Sequence, residues 1–342
     1  MMNEHSFGHP ERYYSQESSD PQGRRGAGGR FQFTVIESLL DSTWKERVER
    51  TCRQWNQVVR EQMRAETGLR FSSSDARAAV PVRVVDGLPP PLQIIVNSIP
   101  EKTFWKMLLL RPSIDAGQKG LSDLLANHDE IFAWLAFTKK GSFGGDKQPP
   151  AVRDGLDLSL QYVHWVMEAV KEVEIENKIA KIQEDVLGAY FFRRKEIRIY
   201  WVAIALISRI LDVTAEDLSV AVLVHEIAHA YTHLGKDIDG RSWELDAFAK
   251  TELAVVEGLA QYYTAVTSKK ISERRPGVHE AYKRLLSLQG GPYRVHEKWM
   301  TDKTSGEDIR FAMIGCRENK MTSCKDFCGH LIEAKERFRR KA

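Results

Sequence analysis

The sequence is short of cysteine, has no apolar run long enough to cross a bilayer, and carries no surplus of charge of one sign. It has four cysteines in 342 residues, Cys52, Cys316, Cys324 and Cys328, well below the density of a disulfide scaffold. The longest apolar run, Ile199–Ile207, is flanked by Arg198 and Arg209. It reaches only half of the roughly 20 residues that a spanning helix needs. Lys and Arg (50) nearly cancel Asp and Glu (47), leaving a net charge of +3, too mild to point to a nucleic-acid partner. Residues 1–30 are polar and lack the apolar core of a secretory signal. Together these absences predict a cytoplasmic protein with no membrane and no nucleic-acid partner.

What is present is a globular balance, with 42% apolar and 28% charged residues, and a length that allows two domains. The first thirty residues, ending in the glycine- and arginine-rich stretch 23–30, are expected to be a disordered tail. Helical spacing runs from Thr34 to Glu66, with Gly68 placed to end it. Two β-rich runs follow, Val80–Val85 and Leu92–Val96, around Pro89-Pro90-Pro91. Thr103–Leu110 and Leu121–Phe137 again look helical. Gly141–Gly145 with Pro149-Pro150 is the strongest linker signal, so the expected division is an N-terminal domain over 31–150 and a second domain over 151–342.

In the second domain Leu156–Ile182 has the period of a long helix. After Gly188 come Ala189–Phe192, a charged turn at Arg193-Arg194-Lys195, and Glu196–Tyr200, which alternates polar and apolar like a half-exposed strand. A helix over Val202–Leu211 precedes Thr214-Ala215-Glu216-Asp217, a cap followed by acids in the first turn. The helix it opens should run to about Leu234, before Gly235. The expected fold class is α+β, mostly helical with a small sheet.

That helix carries His225-Glu226-Ile227-Ala228-His229. Residues four apart share one helical face, so both imidazoles can grip one cation, here expected to be a single Zn2+. Glu226, next to the first ligand, can lean over the open coordination position and take a proton from water. The apolar run Leu218–Val224 places the site deep. Two histidines leave zinc under-coordinated. His233 continues the stripe, but a third successive turn climbs too far along the axis to close a tetrahedron. A carboxylate from the next helix, read as Ser242 to about Ser268, serves better. Glu257 has small neighbours in Ala254, Gly258 and Ala260, which would let two helices approach closely. Glu252 is the alternative.

With this pattern the chain resembles the gluzincin peptidases, which carry HExxH on one helix and a glutamate on the following one. Glu257-Gly258-Leu259-Ala260 is similar to their third-ligand segment, and the interval from His229 is longer than in thermolysin-like members. The resemblance covers roughly residues 186–268. It implies a zincin-like domain in which Glu196–Tyr200 forms the sheet edge that pairs with an extended peptide or protein substrate. It also implies amide hydrolysis by metal-activated water, with Glu226 as general base and His225, His229 and Glu257 as ligands. An oxyanion donor is needed as well. Tyr262 and Tyr263 are candidates, and Tyr293 and His296 after the Gly290-Gly291-Pro292 break are the preferred ones.

Three further features read as structural. Asp237-Ile238-Asp239-Gly240 could offer a carboxylate to a ligand histidine, and reads better as a polar turn. Cys324 and Cys328, with Cys316 and His330 nearby, lack the spacing of a structural zinc knuckle and are expected to be free thiols. A different class of function, a zinc-stabilised interaction module without catalysis, stays open as the alternative. The sequence leaves the substrate and the oligomeric state unassigned.

Overall fold

A computed structural model describes residues 36–37, 40, 43–71, 80–98, 187–300 and 304–339. The expected tail over 1–30, the helices over 103–110, 121–137 and 156–182 and the linker over 141–150 lie outside the described residues. The chain divides into two compact units. One contains residues 36–94 and 180–342 and is described below; the other is built mainly from 95–179.

The first described helix, α1 (Thr43–Thr67), buries Trp44, Val48, Cys52, Trp55, Val59 and Met63. That spacing of three and four makes one apolar stripe. It ends at Gly68, whose φ of 65° is the left-handed conformation that glycine adopts without strain. Strand β1 (Val82–Val85) follows, then helix α2 (Pro90–Ser98). The run Leu92–Val96, expected to be a strand, is therefore helical. Prolines suit a first turn, where no N–H is required, and a short apolar run does not distinguish strand from helix by period alone.

A hairpin comes next, with β2 (Gly188–Phe191) and β3 (Glu196–Tyr200) joined by the charged turn. Helices α3 (Trp201–Ile210) and α4 (Ala215–Leu234) lead on to a break at Thr251-Glu252 between α5 (Leu245–Lys250) and α6 (Leu253–Ile271). The single helix expected from Ser242 to Ser268 is thus two, because both residues at the break have extended backbone. Helix α7 (Gly277–Leu288), a 3-10 turn (Gly291–Arg294), and helices α8 (Val295–Trp299), α9 (Gly306–Glu318) and α10 (Cys324–Arg339) complete the described part of the unit.

The described strands form one three-stranded sheet of order β1-β3-β2, with β3 parallel to β1 and antiparallel to β2. This corrects two expectations. Glu196–Tyr200 is the central strand, paired on both sides, and the outer strand nearest the motif helix is β2. Strand β1 and helix α1 were assigned to a separate N-terminal domain, yet β1 pairs with β3 and α1 packs along α4. Strand β1 runs along β3 in register from Val82 opposite Ile197 to Val85 opposite Tyr200, so the two segments share one sheet.

Candidate metal centre

Helix α4 is buried around almost its whole circumference, from Leu218 to His233, so its two ends carry its contact with polar surroundings. At the N-terminus the Thr214 hydroxyl accepts the Asp217 N–H at 3.1 Å. Arg47 donates to both oxygens of Glu216 at 2.7 and 3.0 Å, and Arg275 pairs with Asp217. At the other end the buried Arg317 of α9 donates to the carbonyls of Gly235 at 2.9 Å, Tyr231 at 3.2 Å and Thr232. Gly235 ends the helix as expected, for an unexpected reason. Its φ is −61°, and a Cβ there would come within 2.5 Å of the Tyr231 carbonyl and 2.8 Å of Leu69.

The middle of α4 presents His225 and His229, with Nε2 atoms 3.1 Å apart. Glu257 of α6 places Oε2 at 3.4 Å from each of them. All three side chains are buried. Ligand atoms around a tetrahedral zinc with bonds of about 2.0–2.1 Å stand about 3.3 Å apart. The triangle formed here has that size, and its donor set of two imidazole nitrogens and one carboxylate suits a divalent ion. Among the described residues no other group of His, Cys, Asp and Glu brings ligand atoms together in this way. Burial pushes the Glu257 carboxyl upward, and the two imidazoles outweigh it by charge and hydrogen bond, holding the group well below the usual carboxylate range. A carboxylate that stays ionised in the core is a ready ligand.

Glu226, 1% exposed, lies against the start of β2, where a Cβ on Gly188 would approach its Oε1 to 2.7 Å. The missing side chain at 188 is what lets the strand and the carboxylate share that space. A cleft opens here, bounded by Leu187 and Gly188 on the sheet side, by His225 and Glu226 below, and by Gln261, Tyr282 and Gln289 opposite. Thr264 approaches His225 Nδ1 to 3.5 Å while its hydroxyl donates to the Ala260 carbonyl at 2.7 Å. That orients the imidazole with Nε2 toward Glu257.

The other expected residues are placed as follows. Glu252 stands at the break before α6 and accepts the Cys324 N–H at 2.8 Å, which leaves Glu257 as the converging carboxylate. Gly258 makes room for the Trp299 ring, which a Cβ would meet at 2.4 Å, so its smallness serves α8 and not the approach of α4. His233 bonds through Nδ1 to the Tyr190 hydroxyl at 2.9 Å and stacks on Phe248 at 4.3 Å. Tyr293 packs 6.5 Å from His225, ring centre to ring centre. His296 engages both ring nitrogens, Nδ1 with the Tyr293 carbonyl at 2.9 Å and Nε2 with the Tyr282 hydroxyl at 3.1 Å. Burial lowers its pKa and so favours the neutral ring.

Tyr262 and Tyr263 are buried phenols whose ionisation burial opposes, Tyr262 being pushed up to about 12. Neither lines the cleft. Asp237 accepts the N–H groups of Asp239 and Arg241, both at 2.9 Å, and so is the turn residue it was read to be. The cysteines are free. Sequence reasoning missed Gln261 and Thr264, although Gln261 follows Glu257 by four positions and therefore shares its helical face. Tyr282 and Gln289, more than twenty residues beyond Glu257, gave no such signal.

No family model, curated protein or solved structure matches this chain. None of the described helices is long and apolar enough to cross a membrane.

Proposed function

We propose that this chain is a zinc-dependent peptidase with a zincin-like arrangement of helices beside a short sheet. One observation carries the reading: a buried carboxylate at equal distance, 3.4 Å, from two imidazole nitrogens that are themselves 3.1 Å apart. A structural site normally uses four protein ligands, whereas the three found among the described residues, beside a cleft, leave a position for water and substrate. His225, His229 and Glu257 would hold the ion. When bound, it would supply Lewis acidity, making water a nucleophile near neutral pH and polarising the substrate carbonyl.

The chain's own residues do the rest. Glu226 takes the proton of the attacking water as the new C–O bond forms, then passes it to the amine nitrogen as the C–N bond breaks. The outer strand β2 begins beside Glu226, and its main chain can align an extended peptide by β-pairing. Tyr293, packed on His225, and His296 remain the candidate donors toward the tetrahedral oxyanion. His296 would have to exchange one of its two present bonds to act.

Replacement of Glu226 by Gln is the decisive test. Zinc content and folding should persist, while hydrolysis of a peptide pool falls by a factor of about 10²–10⁴. A purified parent chain that binds no zinc, or a Gln variant that cleaves as fast as the parent, would refute the proposal.

A further inference from the structure

The cleft beside Glu226 contains a polar group whose bonding is incomplete. Gln261 is 3% exposed and lines the cleft. Its Nε2 donates to Gln289 Oε1 at 3.1 Å, and its Oε1 has no hydrogen-bond partner among the described residues. A buried carbonyl oxygen left in that state loses its hydration with no bond in exchange, which is destabilising. Amide oxygen and nitrogen are assigned from the hydrogen-bond network, so the reverse orientation of the pair also has to be weighed. It would leave a buried N–H unbonded in place of the oxygen. A primary carboxamide, which offers both a donor and an acceptor, satisfies either orientation.

The rest of the lining narrows the choice. Leu187, Val222 and Leu285 supply apolar wall. Among the described residues lining the cleft, Glu226 and the imidazole of His225 are the only ionisable groups apart from the Tyr282 phenol. The ion proposed on His225, His229 and Glu257 is already matched in charge by Glu257 and Glu226, and no Lys or Arg stands among the described lining residues. An entering carboxylate would therefore meet Glu226 uncompensated, at a steep desolvation cost. An aliphatic side chain would leave the Gln261 oxygen buried and unbonded. Resting on the peptidase reading, we propose that this cleft selects a substrate side chain ending in a primary carboxamide, that of glutamine or asparagine, with Gln261 as the specificity-determining residue. The stem of that side chain lies along the apolar wall. Gln289 holds the Gln261 amide in register for the bond.

The test uses peptides identical except at one position, scanned on both sides of the cleaved bond, carrying Gln, Met or Glu. These side chains have similar length and differ in donors and charge. At one position the parent should favour Gln over both Met and Glu by at least tenfold in kcat/KM, the factor that corresponds to about 1.4 kcal/mol. In Gln261→Met the Gln-to-Met ratio should fall to near one, with zinc content unchanged. Should that variant not fold, Gln289→Met, at a half-buried position, should lower the same ratio by releasing the Gln261 amide.

Equal cleavage of Gln and Met peptides by the parent, or a Gln preference that survives Gln261→Met, overturns the inference. Binding of the same peptides to Glu226→Gln, measured by calorimetry, keeps the two readings apart. Carboxamide-selective binding with no cleavage by the parent overturns the catalytic reading alone, and cleavage without carboxamide preference overturns this one alone.

Discussion

His229 and His233 stand one helical turn apart on α4 and are buried alike, 5% and 1% exposed. Their surroundings differ. His229 faces an acid, Glu257, and a second imidazole, and its Nε2 joins a triangle of metal-sized edges. His233 faces a phenol from β2 and a phenyl ring from α5. Burial and helical spacing are thus common to both histidines and decide nothing. What distinguishes a candidate ligand from a core histidine here is the carboxylate brought in by another helix, which would offset part of the charge of a divalent ion.

The contrast can be tested from its strong side to its weak one. His229→Ala removes one corner of the triangle. Zinc affinity should then fall by more than the roughly 10–100-fold that changes outside the ligand set produce, and peptide cleavage should vanish. Metal analysis after gel filtration reads this directly. Thr264→Val keeps the shape of the side chain and removes the oxygen near His225 Nδ1. Zinc affinity should drop within that 10–100-fold range, measured by competition with a chelator. His233→Phe keeps the stacking on Phe248 and removes the bond to Tyr190. Stability should fall by about 1 kcal/mol, seen as a lower denaturation midpoint, with full zinc retained. Loss of zinc in His233→Phe, or its retention in His229→Ala, would break the comparison.

The His225–His229 pair of the candidate triangle was legible in the sequence because it rests on local rules. The i, i+4 spacing fixes His225 and His229 on one face, and Thr214 marks the start of their helix. Glu257 was singled out partly for its small neighbours, and the structure gives Gly258 a different use beside Trp299. Features that depend on distant segments were harder to read. Glu196–Tyr200 has the alternation of an outer strand, and only its pairing with Val82–Val85, more than a hundred residues earlier, makes it central. The helix over Leu92–Val96 was misread because a run so short carries too little period to distinguish the two states. The cleft wall joins α6 to the end of α7 through the Gln261–Gln289 bond, and no pattern within either helix announces that meeting.

Arg317 gives the candidate centre a dependence on chain that contributes no ligand to it. Its guanidinium reaches the last carbonyls of the ligand-bearing helix from a position 60 residues beyond Glu257. During synthesis, His225, Glu226, His229 and Glu257 all emerge before the residue that completes the far end of their helix. A nascent chain stopped near residue 300 would hold every ligand and still expose those carbonyls to an unfinished interior. Closure of the helix end therefore waits for α9, although the residues of the candidate centre precede it in the chain.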